Sequence, residues 1–349
     1  MTYSIVALDP ATGDLGVAVQ SKFLAVGAVV PWARAEVGAV ATQSFANVTY
    51  GPDGLAALAE GATASEALGR LVAADALGHQ RQAGMVDRHG GAATFTGRDC
   101  FAWAGGRTGP GYAAQGNILA GPAVVDGLAD TFAVGGLDFP ELLVACLVAA
   151  DAAGGDRRGR ESAALLVVRT GGGYGGGNDR WIDLRVDADD DPIGQLLRLL
   201  DLQRLYLDRP AVGDLVRVDE PAAAELRLLL SRIGAEPGGG FGDVYQPMSA
   251  LAGAPAEAAT PEAATPDAAT PDAATPDATE SEAATPEVTE SADRPMTGTP
   301  APLPSNWDAS WQGALEDWMS VANLEERTAA PGWIDPRVLT VLRAKAGVA

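Results

Sequence analysis

Residues 1–22, MTYSIVALDPATGDLGVAVQSK, decide how the rest of the chain reads. Tyr3–Leu8 and Leu15–Gln20 are short apolar runs, and Asp9-Pro-Ala-Thr-Gly-Asp14 between them is rich in turn formers. A β-hairpin at the head of the chain is the expectation. Thr2 is small enough for methionine aminopeptidase to expose it by removing Met1. It would then carry its own base, because an α-amino group titrates near 7.7–8.0 and its neutral fraction can accept the hydroxyl proton. The plainer reading is that threonine simply favours strands.

Outward from the hairpin, Ala28–Trp32 and Val37–Gln43 read as two more strands, and four strands in succession favour antiparallel pairing. The period then changes. Gly51–Glu60 is helical, and Thr63-Ala-Ser-Glu66 is a capping-box pattern that opens a second helix. Strands are expected at Gln82–Asp87, Ala92–Thr96 and Cys100–Trp103, and Gly105–Gly121 is a glycine-rich segment to which no element is assigned. Helices at Pro122–Phe132 and Phe139–Ala150, strands at Ser162–Arg169 and Trp181–Val186, and a helix at Ile193–Leu207 complete this part. The glycines of 171–178 join two strands and lack a P-loop Lys-Ser/Thr, so they read as a hairpin loop. The order is solved physically by two facing antiparallel sheets covered outside by helices. The expected fold class is α+β, a four-layer αββα sandwich over residues 1–210.

Bulk composition excludes several functions. The formal charge is −22 over 349 residues, which argues against nucleic-acid and anionic-membrane partners. Residues 254–304 carry ten Asp or Glu against one Arg, so much of that charge is local. Two cysteines, Cys100 and Cys146, read as small buried hydrophobes, and two histidines, His79 and His89, lie outside any metal spacing. No metal or cofactor is expected. With neither a signal-peptide pattern nor a long apolar run, the expected location is cytoplasmic.

Several segments together resemble one bacterial family. They are Thr2-Tyr-Ser-Ile-Val6, Gly27-Ala-Val-Val-Pro31 with Ala33-Arg-Ala35, and Val37-Gly-Ala-Val-Ala-Thr-Gln43. Arg107-Thr-Gly-Pro-Gly111, Gln115-Gly-Asn117 with Leu119-Ala-Gly-Pro122, and Gly154-Gly-Asp-Arg-Arg-Gly159 with Ser162-Ala-Ala-Leu165 complete the set. This is the domain of unknown function ten twenty-eight, placed in the N-terminal-nucleophile (Ntn) hydrolase superfamily, and the resemblance spans about residues 1–208. It implies the same sandwich and an amide-bond hydrolase with Thr2 as nucleophile.

In proteasome-like relatives the second strand ends in Ala-Asp-Ser-Arg and a lysine comes from the next strand. Here the run is Ala18-Val-Gln-Ser-Lys22, so Gln20 or Ser21 stands near the aspartate's place, and the lysine position falls close to Arg34. An arginine depresses a neighbouring amine's pKa but does not give up a proton at neutral pH. Lys22 reads as a surface charge at a strand end. Asp156 is either an orienting carboxylate, with Ser162 beside it, or a solvated turn residue paired with Arg157 and Arg158. Gln115 and Asn117 could supply amide donors to a substrate, and Asn117 is equally a good N-cap for the following helix. Ser4 points to the same strand face as Thr2.

The second half reads differently. Pro221–Ile233 is an amphipathic helix, followed by a glycine-rich turn with Phe241-Gly242. Ala-Ala-Thr-Pro-Glu/Asp then recurs with period five, and residues 249–304 read as an extended, self-repelling disordered segment. Trp307, Trp311, Leu315 and Trp318 restart helical spacing, and Asp335-Pro336 opens a last helix. Residues 211–248 and 305–349 thus form a small three-helix domain interrupted by an insertion. It resembles a peptidoglycan-binding module appended to the same family.

Two functions follow as expectations. One is an Ntn-type amidohydrolase acting on a small amide or peptide-like bond. The other is a non-catalytic protein binding a small molecule or muropeptide on the same fold. Antiparallel sheets with glycine-rich edges suggest a homo-oligomer.

Overall fold

The opening hairpin forms where its apolar runs place it. Strand β1 (Thr2–Leu8) pairs antiparallel with β2 (Leu15–Ser21), setting Thr2 opposite Ser21 and Leu8 opposite Leu15. Both strands are buried on both faces, which is why they read as continuous apolar runs. The computed structural model describes residues 2–238 and 297–348, and the chain divides into two units, Met1–Leu207 and Asp208–Ala349.

In the first unit the hairpin is the centre of a six-stranded antiparallel sheet. Its flanking strands are β7 (Gly105–Gly109), β8 (Tyr112–Asn117), β9 (Ser162–Val168) and β10 (Arg180–Val186), in the order β10-β9-β2-β1-β8-β7. A four-stranded sheet runs β3 (Pro31–Arg34), β4 (Gly38–Ser44), β5 (Arg81–Asp87) and β6 (Ala92–Thr96) in sequence order. Helices α1 (Tyr50–Ala59) and α2 (Ala64–Ala74) pack on the smaller sheet; α3 (Ala123–Val134), α4 (Phe139–Ala152) and α5 (Pro192–Tyr206) pack on the larger. The capping box closes at Thr63 and Glu66 as expected.

Alternation along β1 sorts its side chains. Tyr3, Ile5 and Ala7 join the apolar layer under α3–α5. Val6 and Leu8 join a second layer with Val17, Val19, Ala39 and Val86, which lies between the sheets. Val40, Met85 and Leu68 belong to a third, under α1 and α2. The unit is a mixed α+β fold with antiparallel sheets.

Three local expectations are corrected. Residues 100–103 form no strand, whereas 105–109 and 112–117, inside the glycine-rich segment where no strand is expected, form β7 and β8. Glycines are needed there because a methyl on Gly106 would strike Thr94 and one on Gly116 would strike Leu119. The expected strand 28–32 begins only at Pro31, after a 3-10 turn at Val26–Ala28. Cys100 is only half-buried, with Sγ 3.4 Å from the Arg81 carbonyl, whereas Cys146 is fully buried and its thiol is pushed up to about 12 by that burial.

The second unit contains α6 (Glu220–Arg232), α7 (Ala309–Val321) and α8 (Pro336–Lys345), with a two-residue pairing of β11 (Val216–Arg217) and β12 (Trp333–Ile334). Asp219, Asp308 and Asp335 cap the three helices with their carboxylates. Arg327 and Asp335 form a buried ion pair at 2.8 Å. Residues 297–304 are not free chain, as the expected disorder through 304 would require. Thr297 and Ala301 exchange backbone hydrogen bonds with 330–331, and Trp333 Nε1 donates to the Thr299 carbonyl. The Ala-Thr-Pro repeats and the Phe241-Gly242 turn lie outside the described residues. Among the described residues no helix is long and apolar enough to cross a membrane.

Candidate functional site

Thr2 sits at the open end of β1 on the face turned toward the smaller sheet. Its Oγ1 is 3.0 Å from Ser21 Oγ, and both residues are buried. The register explains the contact: Thr2 and Ser21 are direct partners, so their side chains leave the same face. Gln20 is one residue back and leaves the opposite face with Tyr3, its carboxamide buried without a hydrogen-bond partner. Of the two residues near the missing aspartate, Ser21 is therefore the one at Thr2.

Behind Thr2 lies a connected set of amides between the sheets. Gln43 Nε2 donates to the Thr2 carbonyl at 3.3 Å and to Gln82 Oε1 at 2.8 Å, while Gln43 Oε1 accepts from Ser4 Oγ at 2.7 Å. Asn117 Nδ2 also donates to Gln82 Oε1, at 2.9 Å, and Gln115 Nε2 donates to Ser4 Oγ at 2.7 Å. Gln82 Nε2 returns a hydrogen bond to the Gly116 carbonyl at 2.7 Å. Gly84 of β5 makes room for this set, since a methyl there would overlap the Gln115 carboxamide. Such side chains are buried only at a cost, which their mutual hydrogen bonds offset.

In front of Thr2 opens a cleft of about 320 Å³, lined by Phe23, Val26, Val29, Val30, Gln43, Ser44, Phe45, Ala46 and Arg81. Ser44 adopts a left-handed φ of 69° where the chain leaves β4. Arg81 Nε donates to Asp75 Oδ2 at 2.9 Å, and its Nη1 donates to the Phe45 carbonyl. Asp75 also accepts from Asn47 Nδ2 and the Leu77 amide; Arg81, ahead of the other donors, holds its carboxyl well below the usual range.

The remaining expected residues fall at different distances from Thr2. Asp156, its side chain fully buried, accepts from the backbone amides of Lys22 and Arg158 at 3.1 and 2.8 Å, so it fixes the end of β2 just past Ser21. Ser162 Oγ donates to the Phe23 carbonyl and accepts from the Val26 amide, pinning the loop that forms one cleft wall. Gln115 and Asn117 belong to the internal amide set and do not line the cleft. Asn117 is not an N-cap either; it ends β8, and the cap position of α3 is Pro122.

Arg34 is misplaced by the sequence reading. It is exposed and pairs with Gly38, at the end of β4 remote from Gln43, because it is the last residue of β3 before the turn into β4. Lys22 is a strand-end surface charge, bonded to Glu161 at 2.6 Å. Among the described residues no cluster of three or more His, Cys, Asp or Glu is placed to hold a metal ion.

Sequence reasoning missed Gln43, Gln82 and Arg81. A signal for the first two existed. In Ala39, Ala41, Gln43 and in Gln82, Gly84, Val86 the period-two register puts a glutamine on the apolar face of a strand.

Comparison with known proteins adds the family. Residues 2–196 match the family described as Family of unknown function (DUF1028). The crystal structure of protein SPO2555 from Silicibacter pomeroyi, assigned to DUF1028, is similar at 31% identity and a TM-score of 0.54, over 58% of this chain and 89% of that one. No curated protein matches the chain. On both grounds the chain belongs to the DUF1028 family, whose description assigns no function.

Proposed function

We propose that the first unit is an Ntn-type αββα sandwich that hydrolyses a small amide or peptide-like bond, with Thr2 as nucleophile after removal of Met1. The observation that carries this reading is Thr2 Oγ1, held 3.0 Å from Ser21 Oγ at the head of a central strand and lining a cleft of about 320 Å³. The layering of helices and sheets supports the superfamily assignment.

In the proposed chemistry the freed α-amine of Thr2 takes the hydroxyl proton, and Oγ1 attacks the amide carbon. The C–N bond breaks, the amine leaves with that proton, and the acyl group stays on Oγ1 as an ester. Water then cleaves the ester and restores Thr2. Ser21 holds Oγ1 in place, and Asp156 and Gln43 fix the strand end that carries the pair.

The test is the intact mass of untagged protein before and after treatment with a β-lactone. The expected result is a chain beginning at Thr2 and a single adduct on that residue. Retention of residues ahead of Thr2 in the mature protein overturns the reading.

A second reading, a protein that binds a small amide or muropeptide without cleaving it, is favoured by one observation. Ser21 and Gln43, which hydrogen-bond Thr2, are neutral and supply no charge to activate it. Unchanged turnover in a Thr2→Ala variant, on any substrate found, would overturn Thr2 as nucleophile and leave the binding reading standing. For the second unit we retain the peptidoglycan-binding-like module, supported by three capped helices around buried Trp307 and Trp318. Co-sedimentation of the full chain with purified peptidoglycan checks it.

A further inference from the structure

The walls of the Thr2 cleft carry information that the nucleophile reading does not use. Phe23, Val26, Val29, Val30, Phe45 and Ala46 make the lining mainly apolar, and the one charged lining side chain, Arg81, is already engaged by Asp75 and by the Phe45 carbonyl. At about pH 9.5, where the α-amine of residue 2 is neutral, an anionic group entering the cleft would have to compete with Asp75 for Arg81, and it would lose water against apolar walls. Lys22, at the neighbouring strand end, is paired with Glu161. Phe23 and Phe45 are 53% and 55% exposed, large apolar side chains left uncovered at the site of the candidate nucleophile. The Phe45 ring also lies 6.4 Å from Phe101, itself 59% exposed, which extends the apolar rim.

We infer that this cleft binds the apolar acyl group of an uncharged N-acyl amide. The choice of the acyl side rests on the hydrolase reading. The acyl half remains on Thr2 Oγ1 through the second step, so the cleft beside that oxygen must hold it, whereas the amine half leaves after the first. The apolar selectivity itself rests on the lining alone.

The two ideas are therefore tested apart. Binding is measured by calorimetry at about pH 9.5 on the full-length Thr2→Ala variant, which cannot turn over through that residue, using glycinamides carrying acetyl, butanoyl, hexanoyl, phenylacetyl or succinyl groups. Each methylene that reaches the apolar wall raises affinity up to about fourfold. Hexanoyl and phenylacetyl are expected to bind at least about tenfold tighter than acetyl, and succinyl no tighter than acetyl.

Adding Phe45→Ala, at an exposed position that tolerates truncation, should reduce the hexanoyl gain, and Val29→Glu should remove it while the circular dichroism spectrum stays unchanged. Affinity independent of chain length, tightest binding of succinyl, or no binding by any member overturns the inference. An equal gain for N-hexylacetamide overturns the acyl-side assignment. β-Lactone labelling of Thr2 in the wild-type chain reports separately on the nucleophile, so failure of one reading is not mistaken for failure of the other.

Discussion

The space between the two sheets of the first unit has two unlike ends. Toward Leu8 and Leu15 it is filled by Val6, Val17, Val86, Leu166 and Val168, an apolar packing that needs no partners and stabilises by area alone. Toward Thr2 the same faces of the same strands carry Ser4, Ser21, Gln43, Gln82, Gln115 and Asn117, all buried and joined by specific hydrogen bonds. Folding alone gains little from the second arrangement, because each buried amide exchanges water bonds for protein bonds at small net benefit. What it provides is a fixed geometry at the end of β1. One end holds the unit together, and the other holds Thr2 still.

Four substitutions would sharpen or break that contrast. The largest effect is expected for Thr2→Ala, which should lower turnover of a cleaved amide by about a thousandfold or more while leaving thermal unfolding within a few degrees of wild type. An amidase assay beside a melting curve separates the two. At the apolar end, Leu15→Ala should cost about 2–5 kcal/mol in urea unfolding, because a fully buried side chain leaves a cavity.

Gln82→Leu is the converse probe at the polar end. It removes the acceptor shared by Gln43 and Asn117, so about 1–3 kcal/mol should be lost despite the similar volume. A neutral or stabilising outcome in the same urea titration would break the contrast. Ser21→Ala should slow β-lactone labelling of Thr2 by about fivefold to tenfold, the worth of one hydrogen bond.

A pH effect belongs beside the cleft. Asp75 has its carboxyl lowered, first by the Arg81 hydrogen bond, so its contribution to stability is fully present above the unfolded carboxylate value of about 3.9 and is lost as pH falls through the folded value beneath it. The gap between the urea midpoints of wild type and Asp75→Asn should therefore be full at neutral pH, begin to narrow below about pH 3.9 and keep narrowing as pH falls toward the folded value. A constant gap across that window would remove Asp75 as the anchor of the Phe45 wall.

How much was legible in the residues varies along the chain. The hairpin, α1 and α2 with their capping box, α4 and β9 were readable because apolar period and turn chemistry agree there. Strands β7 and β8 were not. Their glycines and alanines carry no apolar alternation, and they become strands because neighbouring side chains leave room only for backbone. Missing β8 hid one flank of Thr2, since Asn117 is its direct partner on that side.

By itself the sequence determined the two-sheet α+β class, the polar head of β1 and the candidacy of Thr2, Ser21 and Asp156, because these depend on local period and on residue chemistry. Only the tertiary structure decided that Ser21 and not Gln20 meets Thr2, that Arg34 lies at the far end of its sheet, and that Arg81 and Phe45 wall the cleft. Those outcomes depend on strand register and on which sheet faces which, and a one-residue shift in register exchanges every side chain between faces.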